Sequence, residues 1–212
     1  MCMKDYEKSY NHATKKLLDL ASRLDAVSMP MFEAQYTLYD ITYALRDLYS
    51  QFLFRKKFVG NQEFNGFVPW PKGFCALSSI CIYELYGGNI VWEPSAIKLG
   101  AWDYAPVVFL RNNFTGDAFD PTGDQFAPLN VPYELGTPIN RSVKDLKTPN
   151  KAEFVRNVKK YLDRQFTVDG LKLPYHLGKK TAYGLSLQDE THKFAKSVGL
   201  DTIKLLMENK SK

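Results

Sequence analysis

The sequence predicts a single α+β domain: N-terminal helices, a buried cysteine-bearing helix packed on a small antiparallel sheet, and C-terminal helices. Three observations predict it. Apolar residues recur at helical spacing through the first fifty positions. A compact apolar helix opens near Cys75 and meets the stop signal Gly87-Gly88. Two short apolar runs flank Asn112-Asn113-Phe114-Thr115-Gly116 and read as a hairpin. With 212 residues, the chain can bury roughly 70% of its unfolded surface, so a stable core requires neither metal nor disulfide. The expected parts are a helical N-terminal stretch over 1–55, the Cys helix and sheet over 56–130, and a basic, mostly helical stretch over 131–212.

Tyr6, Tyr10, Ala13, Leu17, Leu20, Ala21 and Leu24 predict an amphipathic helix over 4–25. Met29-Pro30-Met31 interrupts it. A second helix follows, carrying Phe32, Tyr36, Tyr39, Tyr43, Leu45, Leu48, Tyr49 and Phe52; a tyrosine stripe at this spacing reads as core rather than as a ligand platform. Gly60, Gly66, Pro69, Pro71 and Gly73 forbid a regular element over 55–73. Phe64, Phe67, Val68 and Trp70 should pack that loop down. The Cys75 helix covers 74–86, and a short strand is expected over 89–92. The hairpin strands are expected at 106–111 and 117–120, followed by a long loop over 121–150. Asn150-Lys151-Ala152-Glu153 resembles a capping box and opens a helix to about 166, with Phe154, Val155, Val158, Tyr161 and Leu162 on one face. Residues 186–189 cap a last helical region.

Composition narrows the function classes. No apolar run approaches the ~18 residues of a membrane span, and residues 1–10 lack the apolar stretch of a secretion signal. Three cysteines, Cys2, Cys75 and Cys81, argue against a disulfide framework and for a reducing compartment, so the expected location is cytoplasmic. Neither Cys75 nor Cys81 has neighbours at metal-ligand spacing. Asp117, Asp120 and Asp124 alternate as calcium ligands do, but they lack the full loop pattern and its closing Glu, and turn capping accounts for them. No metal site is expected. Phosphate-loop, dinucleotide, nucleophile-elbow and zinc-protease patterns are absent, so no cofactor is expected. The charge is uneven: residues 1–139 hold 12 basic and 15 acidic side chains, and residues 140–212 hold 16 and 8. Lys144, Lys147, Lys151, Arg156, Lys159, Lys160 and Arg164 are the best candidates for docking an acidic partner, although a solvated face is the simpler account of them. No nucleic-acid motif accompanies them, so nucleic acid is not the expected partner.

The segment Trp70-Pro-Lys-Gly-Phe-Cys75 sets a thiol at the head of a helix. Exposed N–H groups and the helix dipole favour an anion there and lower a thiol's pKa. The N–H of Cys75 also suits an oxyanion. Downstream, Phe119-Asp120-Pro121-Thr122-Gly123-Asp124-Gln125-Phe126 places carboxylates just past a strand, where they can orient a base.

This arrangement resembles the papain-like cysteine hydrolases in the broad sense that includes transglutaminase-like and NlpC-like proteins. It covers about residues 65–127. The resemblance implies a helix headed by Cys75 on an antiparallel sheet, with Val107-Val108-Phe109-Leu110 as the strand of the catalytic His and Asp120 or Asp124 as the orienting acid. Gln62 or Asn65 would complete the oxyanion hole. The chain departs from the family where the His belongs: Ala105-Pro106-Val107 stand there, and none can take a proton from a thiol. His176 is the imidazole that could fold back over Cys75. The resulting expectation is a papain-like scaffold that has lost its Cys–His pair and binds a small-molecule or protein ligand in a cleft beside Cys75, lined by Trp70, Phe74, Trp102, Tyr104 and Gln125. The alternatives are an active cysteine hydrolase or acyl transferase with a non-standard base, and a basic protein binding nucleic acid or an acidic partner.

Overall fold

The computed structural model describes residues 3–59, 70–99, 106–127, 130–139, 143, 146–163, 165–168 and 171–174. The chain divides into two compact units, Ala13–Leu162 and Met1–His12 with Asp163–Lys212.

The larger unit is α+β. Its helices are most of α1 (Met3–Ser28), then α2 (Leu38–Ser50), α3 (Phe52–Val59), α4 (Cys75–Leu85), the single turn α5 (Gly88–Val91) and α6 (Lys151–Leu162). Four antiparallel strands, β1 (Trp92–Ile97), β2 (Val107–Asn112), β3 (Ala118–Phe119) and β4 (Thr137–Pro138), pair in the order β3-β2-β1-β4. Antiparallel pairing lets the short turn at 112–116 join β2 to β3. Asn112 starts that turn: its side-chain oxygen accepts the N–H groups of Phe114 at 2.9 Å and Thr115 at 3.1 Å. Gly116, at φ 77°, closes it.

Two helices form the centre. Every residue from Ile41 to Tyr49 on α2 is buried, as is every residue from Leu77 to Ile82 on α4. A helix enclosed on all sides has no polar stripe to display. The hydroxyls of Tyr49 and Ser78 hydrogen-bond where the two helices meet. α4 lies on β2: the Ser79 hydroxyl donates to the Val108 carbonyl at 3.3 Å, and Ile80 packs with Val108 and Val143. α6 adds Phe154, Val158 and Tyr161, and the Tyr161 hydroxyl donates to Asp47 at 2.9 Å.

The smaller unit contains, among its described residues, the start of α1 and a hairpin of β5 (Gln165–Val168) and β6 (Leu171–Pro174). Tyr6 and Tyr10 are buried, with ring centroids 6.1 Å apart.

Several expectations are corrected. The second helix begins at Leu38, not near Phe32, because Thr37 caps it by accepting the Asp40 N–H at 3.0 Å, and the Asp25 carboxylate accepts the N–H groups of Leu38 and Tyr39 at 2.8 and 3.0 Å. α3 occupies the first part of the segment expected to be irregular. Residues 88–91 form a helical turn, not a strand; Gly87 and Gly88, at φ 74° and 52°, redirect the chain so that Trp92 begins β1. The helix expected to reach 166 ends at Leu162, and a hairpin follows where helix was expected. The last helical region expected to be capped by residues 186–189 lies outside the described residues.

The buried face of α1 differs in its middle. Within the larger unit, Ala21 and Leu24 of the predicted apolar face are enclosed together with Thr14, Leu18 and Ser28, while Ala13, Leu17 and Leu20 stay half-exposed.

Candidate functional site

Cys75 is the first residue of α4. Its predecessor Phe74 is the N-cap and offers no side-chain cap; the Phe74 N–H itself donates to the Pro71 carbonyl at 3.1 Å. The thiol is partly buried against β2, and burial pushes its pKa up. Backbone hydrogen bonding from Val108, and from Ala76 and Cys75 itself, favours the thiolate, while the nearby charge of Asp120 opposes it. Desolvation outweighs the helix terminus, so the expected lowering of the Cys75 pKa is reversed. Cys81, fully enclosed in the same helix, is also pushed up, by burial first and by Glu84 second.

Asp120 follows β3 directly and is buried. One carboxylate oxygen accepts the Thr122 N–H at 2.8 Å and the Thr122 hydroxyl at 2.6 Å; the other accepts the Tyr133 hydroxyl at 2.9 Å. Those donors favour the charged form, but burial dominates and raises the Asp120 pKa, with Asp124 adding to the rise. Tyr133 is pushed up by burial and by the charges of Asp120, Asp124 and Cys75. Thiol, carboxyl and phenol therefore lie within electrostatic reach of one another. Gly123 is small for a local reason, since a Cβ there would strike the Tyr133 hydroxyl.

Asp124 belongs to a separate clasp. Arg46 of α2, fully enclosed, reaches it with both terminal nitrogens at 2.6 and 2.8 Å. The same guanidinium donates to the Pro121 carbonyl at 2.8 Å and to the Thr14 hydroxyl of α1 at 2.8 Å. A planar fork suits such two-point pairing, and it fixes the loop after β3 to two helices. Gln125 ties that loop to the approach to Cys75: its amide nitrogen donates to the Thr122 carbonyl and hydroxyl at 3.0 and 2.9 Å, and its oxygen accepts the Gly73 N–H at 3.1 Å.

The structure thus gathers Cys75, Asp120 and Gln125 around the start of α4, with Asp124 next along the same loop in its clasp with Arg46. Trp70 is half-buried, with the Arg55 guanidinium 5.5 Å from its ring centroid. Phe74 is a core ring instead of a cleft wall. It is fully enclosed, stacked on Tyr49 at 4.6 Å and near Phe54 and Phe154 at 6.0 and 5.8 Å, because four helices converge there. Gln62, Asn65, Trp102, Tyr104 and His176 lie outside the described residues.

Arg46, Thr122 and Tyr133 were not singled out from sequence. The signal for Arg46 was an Arg-Asp pair inside the apolar run Ile41-Thr-Tyr-Ala-Leu-Arg46-Asp47-Leu-Tyr49, where a charge has no solvent face to occupy. On α6, Arg156, Lys159 and Lys160 are exposed, and Glu153 pairs with Lys57 of α3 at 2.6 Å.

A cavity of about 390 Å³ opens on another side of the Asp120–Tyr133 pair. α1 supplies Ala13, Lys16, Leu17 and Leu20, and the segment after β3 supplies Asp124 and Val131 among others; Cys75 is not part of its lining. Among the described residues no three His, Cys, Asp or Glu side chains gather as metal ligands, and no helix is long and apolar enough to cross a membrane. The chain matches no protein-family model, no curated protein and no solved structure.

Proposed function

We propose that the Ala13–Leu162 unit is a papain-like scaffold without the usual cysteine–histidine pair, and that it binds a small-molecule or protein ligand beside Cys75 instead of cleaving one. The comparisons lend this reading no support; it rests on arrangement. A cysteine heads a helix lying on an antiparallel sheet, and an aspartate ends the strand next to the one that faces the thiol.

The observation that carries the loss of chemistry is what surrounds the thiol. Among the described residues, the strand beside the thiol offers it the Val108 backbone and no imidazole, and the acid that would orient a base is closed off by Thr122 and Tyr133. A thiol made less acidic by burial is a poor nucleophile near neutral pH, since the thiolate is the reactive form. The test compares wild type with Cys75→Ala on a panel of amides, esters and thioesters. Equal background rates are expected; turnover lost specifically in Cys75→Ala contradicts the reading.

One observation favours the alternative of an active hydrolase or acyl transferase: Cys75 keeps some exposure while Cys81 has none. The same panel decides between the two. The exposed Arg156, Lys159 and Lys160 of α6 support a further reading, an acidic macromolecule as partner. Such binding would weaken steeply with added salt.

A further inference from the structure

The half-exposed stripe on α1 is the starting point. Ala13, Lys16, Leu17 and Leu20 are spaced i, i+3, i+4 and i+7, so they share one helix face. That face lies beside the enclosed stripe of Leu18, Ala21 and Leu24, and it forms a wall of the 390 Å³ cavity. The volume falls within the range of small-molecule sites. Val131 and Ala127 continue the apolar lining.

The polar groups of the cavity differ in what they have left to offer. Both oxygens of Asp124 are held by Arg46. Those of Asp120 take three protein donors, and the Tyr133 proton is one of them. Lys16 is exposed and makes no ion pair among the described residues. Among the described residues, the charged side chain of this lining that no protein group engages is therefore a cation, Lys16.

We propose that this cavity binds a small monocarboxylate with an aliphatic body, its chain against Ala13, Leu17, Leu20 and Val131 and its carboxylate at the Lys16 ammonium. Cys75 plays no part, so the site stands or falls independently of the reading above. Apolar burial supplies most of the affinity. The ammonium sets the sign of charge accepted, because an exposed ion pair contributes little energy.

The test is titration of the full chain with hexanoate, octanoate and decanoate by calorimetry, alongside octanol and octylamine. Saturable one-site binding is expected, tightening about three- to fourfold per methylene until the cavity is full. Octanoate should bind more tightly than octanol, and octylamine more weakly than either. Lys16→Gln should weaken octanoate about two- to fivefold and leave octanol unchanged. Ala127→Trp, a change at an exposed position, should block all three chain lengths; Leu17→Trp, checked for folding by circular dichroism, should do the same. Absence of saturable carboxylate binding would overturn the proposal. So would octylamine binding as tightly as octanoate, or octanoate affinity unchanged in a folded Ala127→Trp protein.

Discussion

Arg46 and Asp124 meet in a two-point ion pair, 2.6 and 2.8 Å long, at the point where α2, α1 and the loop after β3 converge. The arginine has no exposed side-chain surface, and the aspartate retains 17%. Through Pro121 and Thr14 the pair holds the loop that carries Asp120, Thr122 and Gln125. The geometry beside Cys75 therefore depends on a salt bridge that never touches the thiol.

Removing one partner should cost more than removing both. Asp124→Ala leaves a buried guanidinium half-paired and should destabilise the protein by about 3 kcal/mol. Arg46→Met combined with Asp124→Leu should recover part of that loss, because apolar replacements of buried pairs are often tolerated. Urea unfolding of the two single variants and the double variant measures both effects.

Asp120 gives stability a pH dependence of defined sign. Its folded pKa lies above the ordinary 3.8, chiefly through burial. The folded state thus holds the proton more tightly than the unfolded chain. The stability this confers is full below 3.8 and is lost as pH rises through the folded pKa. Asp120→Asn removes the titration, so the stability difference, variant minus wild type, should grow as pH rises through that window. Thermal unfolding across the acid range checks it; a difference that does not vary with pH contradicts it.

Gly123 should be coupled to Tyr133. Gly123→Ala puts a methyl against the Tyr133 hydroxyl and should cost about 1–3 kcal/mol through overpacking. In a Tyr133→Phe background the obstructing atom is gone, so the same substitution should cost less than half as much. A double-mutant cycle by denaturant unfolding reads the coupling.

Phe74 should behave as core. Phe74→Ala removes a ring shared among Tyr49, Phe54 and Phe154 and should destabilise by about 3–5 kcal/mol. If that variant fails to fold, Phe74→Leu should fold with a smaller loss. Stability unchanged in Phe74→Ala would return the residue to a surface cleft.

Local apolar pattern was enough to place α1, α4, the start of α6 and the β2–β3 hairpin, whereas the end of α6, which has no local stop signal, was set four residues too late. The pattern also failed where a distant residue sets the boundary. The start of α2 is set by the Thr37 cap together with Asp25, more than a dozen positions earlier in the chain. Gly87 and Gly88 were read as a helix stop, yet their left-handed backbone also begins a further helical turn. On α1, Tyr6, Tyr10, Ala21 and Leu24 are buried as their spacing predicts, while in the middle of the helix Thr14 and Leu18 are buried in place of Ala13 and Leu17. The site was legible in part. Cys75, Asp120, Asp124 and Gln125 stand out by type and position, whereas Arg46 and Tyr133 acquire meaning through partners 78 and 13 residues away. The thiol's acidity was misread because helix-terminus electrostatics are local, while the burial that outweighs them comes from β2.

The most direct test is the alkylation rate of Cys75 by iodoacetamide as a function of pH, followed by peptide mass spectrometry with Cys75→Ser as control. A papain-like scaffold without its base predicts slow labelling near neutral pH and an apparent pKa above the value of about 8.5 for a free thiol. Rapid labelling at neutral pH, with an apparent pKa well below that value, would contradict it and return Cys75 to the role of nucleophile.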